Sequence, residues 1–495
     1  MQMTLGVDAF LLLAAVLTLS AVVVSALTTR FSRRLRVPGA LLFLGLGMLV
    51  GDDGLDLVSL ADAELVQNAG VVALLFILLE GGLTTKPTDL RLAAVPGLLL
   101  ATVGVAATAG ITALGVWLLL DVEVVTAALV GAVVGSTDAA AVFSMMRTTP
   151  LPRRVSALLR VESGSNDPIA VMLTVGLLAT VDGGASPGTW AAFAGMQLLG
   201  GAVVGVGVGG LAVVLLRRLP LGIDGLYPIA VVALGVLAYG SAVRLGASGF
   251  VAVYLTGVLV GAYVPRHRRT ILGFHEALAN AAEIGLFLVL GLLVFPARLP
   301  AVALGALGVA AVLTLVARPA AVWLCTLGQG YDWRERTLLS AGGLKGAVPI
   351  VLATFPLTAG IDDALLVFDV VFFVVLSSVL VQGLALLPIV RRLGFEQSTP
   401  AWAPVAQALP LEGIEVDLVE VHVTEDLFLA GRRLAEVGVP GGTIVTAVIR
   451  RDAVLVPRGD TRIEVDDVLL LTVERAGPAI DRLTAWARGE GDPRR

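Results

Sequence analysis

The sequence predicts an all-α polytopic membrane bundle followed by a small α+β domain, and three observations carry that prediction. Hydrophobic residues make up 57% of the 495 positions, only 15% are charged, and the mean hydropathy is +0.93, outside the soluble range. Apolar runs long enough to span a bilayer recur about 13 times before Arg392. Beyond Arg392 no run can span, and short alternating segments take over.

The first run, 10–29, follows a start without a basic n-region and with Asp8, and so reads as a retained helix rather than a cleaved signal. The others lie at 38–50, 66–83, 92–120, 124–146, 157–181, 190–216, 226–243, 248–264, 283–295, 300–327, 337–357 and 365–390. Two of them, 38–50 and 283–295, are short and interrupted by glycine. Each is expected to thin the bilayer or to be a broken element shielded by protein. The short second and tenth runs are followed, at similar distances, by polar interruptions at Ser136-Thr137-Asp138 and Gly342-Gly343-Leu344-Lys345-Gly346. That correspondence predicts inverted six-helix repeats, with the seventh span as linker and a site near the midplane.

Basic residues follow alternate spans: Arg30 to Arg36, Lys86 and Arg91, Arg147 to Arg154, Arg217 and Arg218, Arg266 to Arg269, Arg334 and Arg336, and Arg391 and Arg392. The intervening loops carry Asp52, Asp53 and Asp56, Asp121 and Glu123, Asp182, and Asp362 and Asp363; Arg244 and Arg298 are lone exceptions. The positive-inside rule then places the N-terminus outside and the C-terminus in the cytoplasm. The expected organisation is a membrane domain over 1–392, a Pro-containing linker over 393–412 and a cytoplasmic regulatory domain over 413–495. In that last domain 414–423, 444–449, 453–456 and 468–473 read as strands and 427–437 as a helix.

One cysteine, Cys325, excludes an intramolecular disulfide framework, and the scattered His267, His275 and His422 match no metal-ligand spacing. No nucleophile constellation or phosphate loop supports an enzyme, and nothing points to nucleic acid.

The chemistry concentrates in Glu162, Asn166 and Asp167. If their helix starts near Ala157, Asp167 lies about 15 Å in, half of a roughly 30 Å hydrocarbon core. Glu162 and Asn166, four apart, share a face, while Asp167 points about 100° away. Ionisable groups at that depth are functional candidates by default; pairing with other helices is the plainer alternative. Thr137 and Asp138 interrupt an apolar span, so that side-chain and carbonyl oxygens suited to an alkali cation come together; capping two half-helices is compatible with that role. Ser163 joins the same ion-binding set. Arg318 and Lys345 lie in apolar surroundings and need carboxylates or helix C-termini, unless Arg318 reaches the interface. Glu80 and Glu283, beside glycines at span ends, are candidates for the ion path, with interfacial packing as the alternative.

These residues resemble the monovalent cation/proton antiporters, in particular their NhaP-like potassium/proton branch. The matches are Glu162-Ser163-Gly164-Ser165-Asn166-Asp167-Pro168, Ser136-Thr137-Asp138-Ala139-Ala140-Ala141-Val142-Phe143, Ala282-Glu283-Ile284-Gly285-Leu286-Phe287, and Gly342-Gly343-Leu344-Lys345-Gly346-Ala347-Val348-Pro349. The resemblance implies a 13-helix homodimer with a dimer domain and a core domain, in which the fifth and twelfth helices are unwound and cross. It also implies that Asp167 is the shared proton and cation carrier, that Thr137, Asp138 and Asn166 surround the ion, and that Glu162 bridges to Arg318. Lys345 stands where the family often has arginine, which keeps the charge but loses the planar fork. Residues 434–440 and 454–461 resemble the TrkA-type C-terminal module, which implies a dimeric regulatory domain and a small ligand such as a nucleotide or cyclic dinucleotide.

The expected function is therefore exchange of a monovalent cation, potassium before sodium, for protons across a prokaryotic plasma membrane. Competition of proton and cation for one carboxylate accounts for coupling, and the neutral Asn166 beside Asp167 favours electroneutral exchange. A sodium/proton antiporter is the nearest alternative. A ligand-gated cation channel is disfavoured because no carbonyl filter sequence is present.

Overall fold

The computed structural model describes residues 39–51, 53–55, 63–139, 142–143, 146, 151–181, 187–218, 221–264, 267–395, 405–410, 416–425, 427–450, 453–474 and 479–489. The chain divides into two compact units between Phe395 and Glu396. The expected first span, the loop acids Asp52 and Asp56, Arg147, and Asp182 lie outside the described residues.

In the first unit every expected span after the first has a helical counterpart among the described residues. In order these are α1 (Gly39–Val50), α2 (Ala63–Thr84), α3 (Pro87–Leu120), α4 (Val124–Val133), α5 (Arg153–Val181), α6 (Gly188–Arg218), α7 (Leu226–Arg244), α8 (Gly249–Tyr263), α9 (Arg268–Leu293), α10 (Leu299–Cys325), α11 (Trp333–Ala341), α12 (Val348–Thr358) and α13 (Ala364–Arg392). Large apolar side chains such as Leu199, Val203, Leu304 and Leu315 stay exposed, as befits helices whose outer faces meet lipid rather than water. Small residues let the inner faces approach: a side chain at Gly47 would collide with Gly291, which seats α1 directly on α9.

The tenth span corrects the sequence reading. Far from short or broken, α9 is a continuous helix of 26 residues. Its first half, Arg268 to Asn280, carries charge and so escaped a search for apolar runs. Charge is tolerated there because Arg268, Glu276 and Glu283 line a cavity of about 630 Å³, while Ile271, His275, Ala279 and Leu286 turn inward. The interruptions at 134–138 and 342–347 fall where expected: the first ends α4, and the second separates α11 from α12. Arg298, an exception to the charge alternation, lies 3.5 Å from the buried carboxylate of Asp369.

The second unit is a five-stranded sheet in the order β1-β2-β5-β3-β4, built from β1 (Val405–Pro410), β2 (Val416–His422), β3 (Thr443–Arg450), β4 (Ala453–Leu455) and β5 (Val468–Glu474). All pairings are antiparallel, with Leu418 opposite Thr472 and Val448 opposite Leu469. Helices α14 (Leu434–Val437) and α15 (Ala479–Arg488) complete it. Two sequence expectations change here. Part of the proposed linker is the edge strand β1, where prolines are tolerated because one edge needs no partner. The helix expected over 427–437 shrinks to its last turn, with Leu427 and Leu429 buried from a turn instead. Asp467, 1% exposed, accepts from Arg450 Nε and Nη2 at 2.8 Å each and fixes the β3 to β5 register at its end.

Candidate functional site

Helix α5 runs unbroken through Pro168 and carries the polar stretch at its middle. Its two faces do different work. Glu162 and Asn166 point into the bundle, 1% and 0% exposed, and Asp167, 7% exposed, lines a cavity of about 630 Å³ together with Ser163 and Gly164. Because Pro168 has no N–H, the carbonyl one turn earlier lacks its usual helical donor.

The two unwound segments touch. Asp138 N–H donates to the Leu344 carbonyl at 2.7 Å, and Lys345 Nζ donates to the Ser136 carbonyl at 2.7 Å. The ammonium thus sits just past the C-terminal end of α4, where the partial negative charge of the half-helix offsets its burial. Helix α5 grips the first break at two points: Ser163 Oγ accepts from Ala139 N–H at 3.1 Å, and Asn166 Nδ2 donates to Thr137 Oγ1 at 2.6 Å. Helix α13 grips the second. Ser378 Oγ accepts from Lys345 N–H at 3.1 Å and donates to Gln382 Oε1 at 3.0 Å, while Gln382 Nε2 donates to the Ala341 carbonyl at 2.8 Å.

Arg318 meets Glu162 as a fork: one guanidinium nitrogen bonds Glu162 Oε1, and Nη2 donates to Oε2 at 2.9 Å and to the Leu339 carbonyl at 3.3 Å. Both side chains are 4% exposed or less. A π-turn over Leu313–Ala317 directly precedes Arg318, an irregularity typical of functional helices. A side chain at Gly343 would overlap the guanidinium, so the second break needs glycine to approach it.

The structure therefore brings together Asp167, Asn166, Asp138, Thr137, Ser163 and Lys345 at the crossing, with the Glu162 and Arg318 pair behind it. Glu80 and Glu283 line the same cavity, joined by Glu276, which had drawn no attention in the sequence. Asp167 Oδ1 and Asn166 Oδ1 are buried acceptors without a hydrogen-bond partner among the described residues. The open Asp167 oxygen on the cavity wall suits a proton or a partly dehydrated cation.

The profile of the family described as "Sodium/hydrogen exchanger, transmembrane" matches residues 5–392. The chain belongs to this family. It is an exchanger of a monovalent cation for protons. The TrkA-C domain profile matches residues 418–485, within the five-stranded unit. The exchanger is 39% identical to the K(+)/H(+) antiporter NhaP2 of Shewanella baltica, over 97% of this chain and 84% of that one. It is 36% identical to the K(+)/H(+) antiporter NhaP of Alkalimonas amylolytica, over 94% and 82%. Its fold is shared with the sodium proton antiporter MjNhaP1 from Methanocaldococcus jannaschii, at a TM-score of 0.66 and 24% identity, covering 76% of this chain and 99% of that one.

Sequence reasoning missed several groups around the site. Ser378 and Gln382, four apart in an otherwise apolar exchanger helix, were visible as intramembrane polar residues, and so was Asp369. Tyr254 is buried against Gly164 beside the site. Lys345 is 2% exposed, and among the described residues only its ammonium holds the Ser136 carbonyl. Lys345→Met should lower stability by about 1–3 kcal/mol by orphaning that carbonyl, seen as a fall in thermal midpoint in detergent. Lys345→Arg should retain most of the stability.

Proposed function

We propose that this exchanger moves potassium in preference to sodium against protons, in a one-for-one electroneutral cycle, as a homodimer in a prokaryotic plasma membrane. The observation that carries the reading is the Asp167 carboxylate, with Oδ1 open, on the wall of a cavity that Thr137 and Asp138 also line, Thr137 being held by Asn166. The potassium assignment rests on the relatives named as potassium antiporters at 36–39% identity over nearly the whole chain.

In the proposed cycle Asp167 takes either a proton or the cation, never both. Ser163 and Asn166 fix the unwound strand that presents Thr137 and Asp138, so the oxygens around the ion are set before it arrives. Glu162 is neutralised by Arg318 and stays outside the exchange. Asn166, lacking a titratable proton, leaves one carrier at the pair. Movement only of the neutralised site makes exchange obligatory.

The positive-inside pattern supports a cytoplasmic C-terminal unit, which in this reading regulates transport through a small ligand such as a nucleotide or cyclic dinucleotide. Lys86, Arg160 and Arg268 line the cavity, which makes it the cytoplasmic access route by the same rule. The test is proton-coupled dequenching in vesicles, with potassium, sodium and lithium compared at several pH values. Potassium should act at the lowest concentration. A steady-state pH gradient that follows an imposed voltage would overturn the electroneutral stoichiometry.

A further inference from the structure

Arg160 stands on the cavity wall seven positions before Asp167, so the two share a face of α5, about 10 Å apart along its axis. Three elements meet at its guanidinium. Nη1 donates to Asp89 Oδ2 of α3 at 3.2 Å, and the centroid of the Phe143 ring, beyond the first break, lies 4.8 Å from the guanidinium carbon. The head group is held in one place rather than left to wander in water.

The ion pair is lopsided. The Asp89 side chain is 9% exposed and lies in the first turn of α3, where the positive end of the helix offsets part of its charge. The Arg160 side chain is 42% exposed and borders the cavity. What the pair presents there is a net positive charge between the cytoplasmic mouth and Asp167. The rest of the wall pulls the other way, because Glu80, Glu276, Glu283 and Asp138 all line it. Of the other basic residues, Lys86 precedes α3, and Arg268, at the start of α9, donates to the Gly261 carbonyl. Among the described lining residues, Arg160 is the one cation carried by the Asp167 helix.

We propose that Arg160, fixed by Asp89 and Phe143, sets how tightly the exchanger takes its cation, as a positive charge on the approach that holds affinity down. A carrier must release its cation as well as bind it, and a fixed charge on the route weakens binding without adding a contact. The inference rests on the exchange reading above, because the affinity it sets is that of Asp167 for the cation. Arg160 is a positioning residue here and touches no ion.

The test titrates potassium against the full-length protein. Two unit charges about 10 Å apart in a partly wet cavity change affinity by about threefold to tenfold. Arg160→Gln should lower the half-saturating potassium concentration by that factor, measured in proteoliposomes at alkaline pH. Asp89→Asn, which leaves the guanidinium charge without its offset, should raise it. Opposite shifts from the two halves of one ion pair are the signature, because damage to the fold would move both the same way. The Arg160→Gln shift should shrink toward acid pH, where the proton, drawn to Asp167 by the same field, competes. Arg160→Lys should stay close to wild type. A second readout needs no transport: the rise in thermal midpoint with potassium chloride, choline chloride holding the ionic strength and hence the screening constant. Its half-effect concentration should be lowest in Arg160→Gln and highest in Asp89→Asn. Shifts in the same direction would overturn the proposal, as would a changed maximal rate without a change in half-saturation, or equal shifts for Arg160→Lys and Arg160→Gln. A wild-type protein that coupled no cation to proton flux would remove the exchange reading, and the thermal titration would still decide whether Arg160 sets cation affinity.

Discussion

Asp167→Asn should abolish cation-dependent proton movement, a loss of at least about 100-fold, while leaving the protein folded. The substitution keeps the shape of the side chain and its place on the cavity wall but removes the carboxylate assigned as carrier. Folding should survive because Asp167 Oδ1 has no hydrogen-bond partner to lose among the described residues. Replacing a buried carboxylate whose Oδ1 has no partner with an amide lowers a desolvation cost, so the thermal midpoint should hold or rise. Reconstituted protein with potassium inside and a fluorescent pH probe reads the first effect, and thermal unfolding in detergent reads the second. Persistent exchange in a folded Asp167→Asn protein would remove the carrier assignment. A collapsed midpoint would instead show that Asp167 is held by contacts the structure does not contain.

The pairing of loss of transport with preserved stability separates the two faces of α5. Asp167 belongs to the cavity face, whereas Glu162 and Asn166 belong to the face that builds the crossing. That split was legible in the sequence from helical spacing alone, because positions four apart share a face and a neighbour does not. The breaks at 134–138 and 342–347 were legible too, as polar and glycine-rich interruptions in apolar runs. The partner of Asp138 N–H was not. The Leu344 carbonyl lies more than 200 positions away, and backbone contacts leave no mark on side-chain pattern. The start of α9 was hidden for the opposite reason: Arg268 and Glu276 line a cavity, so a helix wears the charge of a loop. Helix facing was also illegible elsewhere in the membrane unit, since lipid and protein interior select the same apolar residues. In the second unit the alternation of β2 was plain and β5 read as a strand, but β1 was disguised by the Pro-containing stretch in which it lies.

Breaking the Glu162 and Arg318 pair should be the most destabilising single change near the site. Removing either partner leaves a full charge in a place with 4% exposure or less, at a cost of about 3–5 kcal/mol. The pair's net worth is far smaller, because both ions gave up hydration to form it. Glu162→Leu and Arg318→Met should therefore each lower the thermal midpoint sharply, while the double variant regains much of the loss. Arg318→Lys distinguishes charge from geometry. It keeps the positive charge but not the fork that spans both Glu162 oxygens and the Leu339 carbonyl, so it should fall between wild type and Arg318→Met. Equal midpoints for the lysine and methionine variants would show that the fork, not the charge, holds the second break in place. Transport adds a further discrimination. The pair stands behind the site rather than in it, so a folded double variant should still exchange, more slowly and at a similar half-saturating cation concentration. A complete loss in that folded double variant, matching Asp167→Asn, would move Glu162 from the scaffold into the exchange cycle.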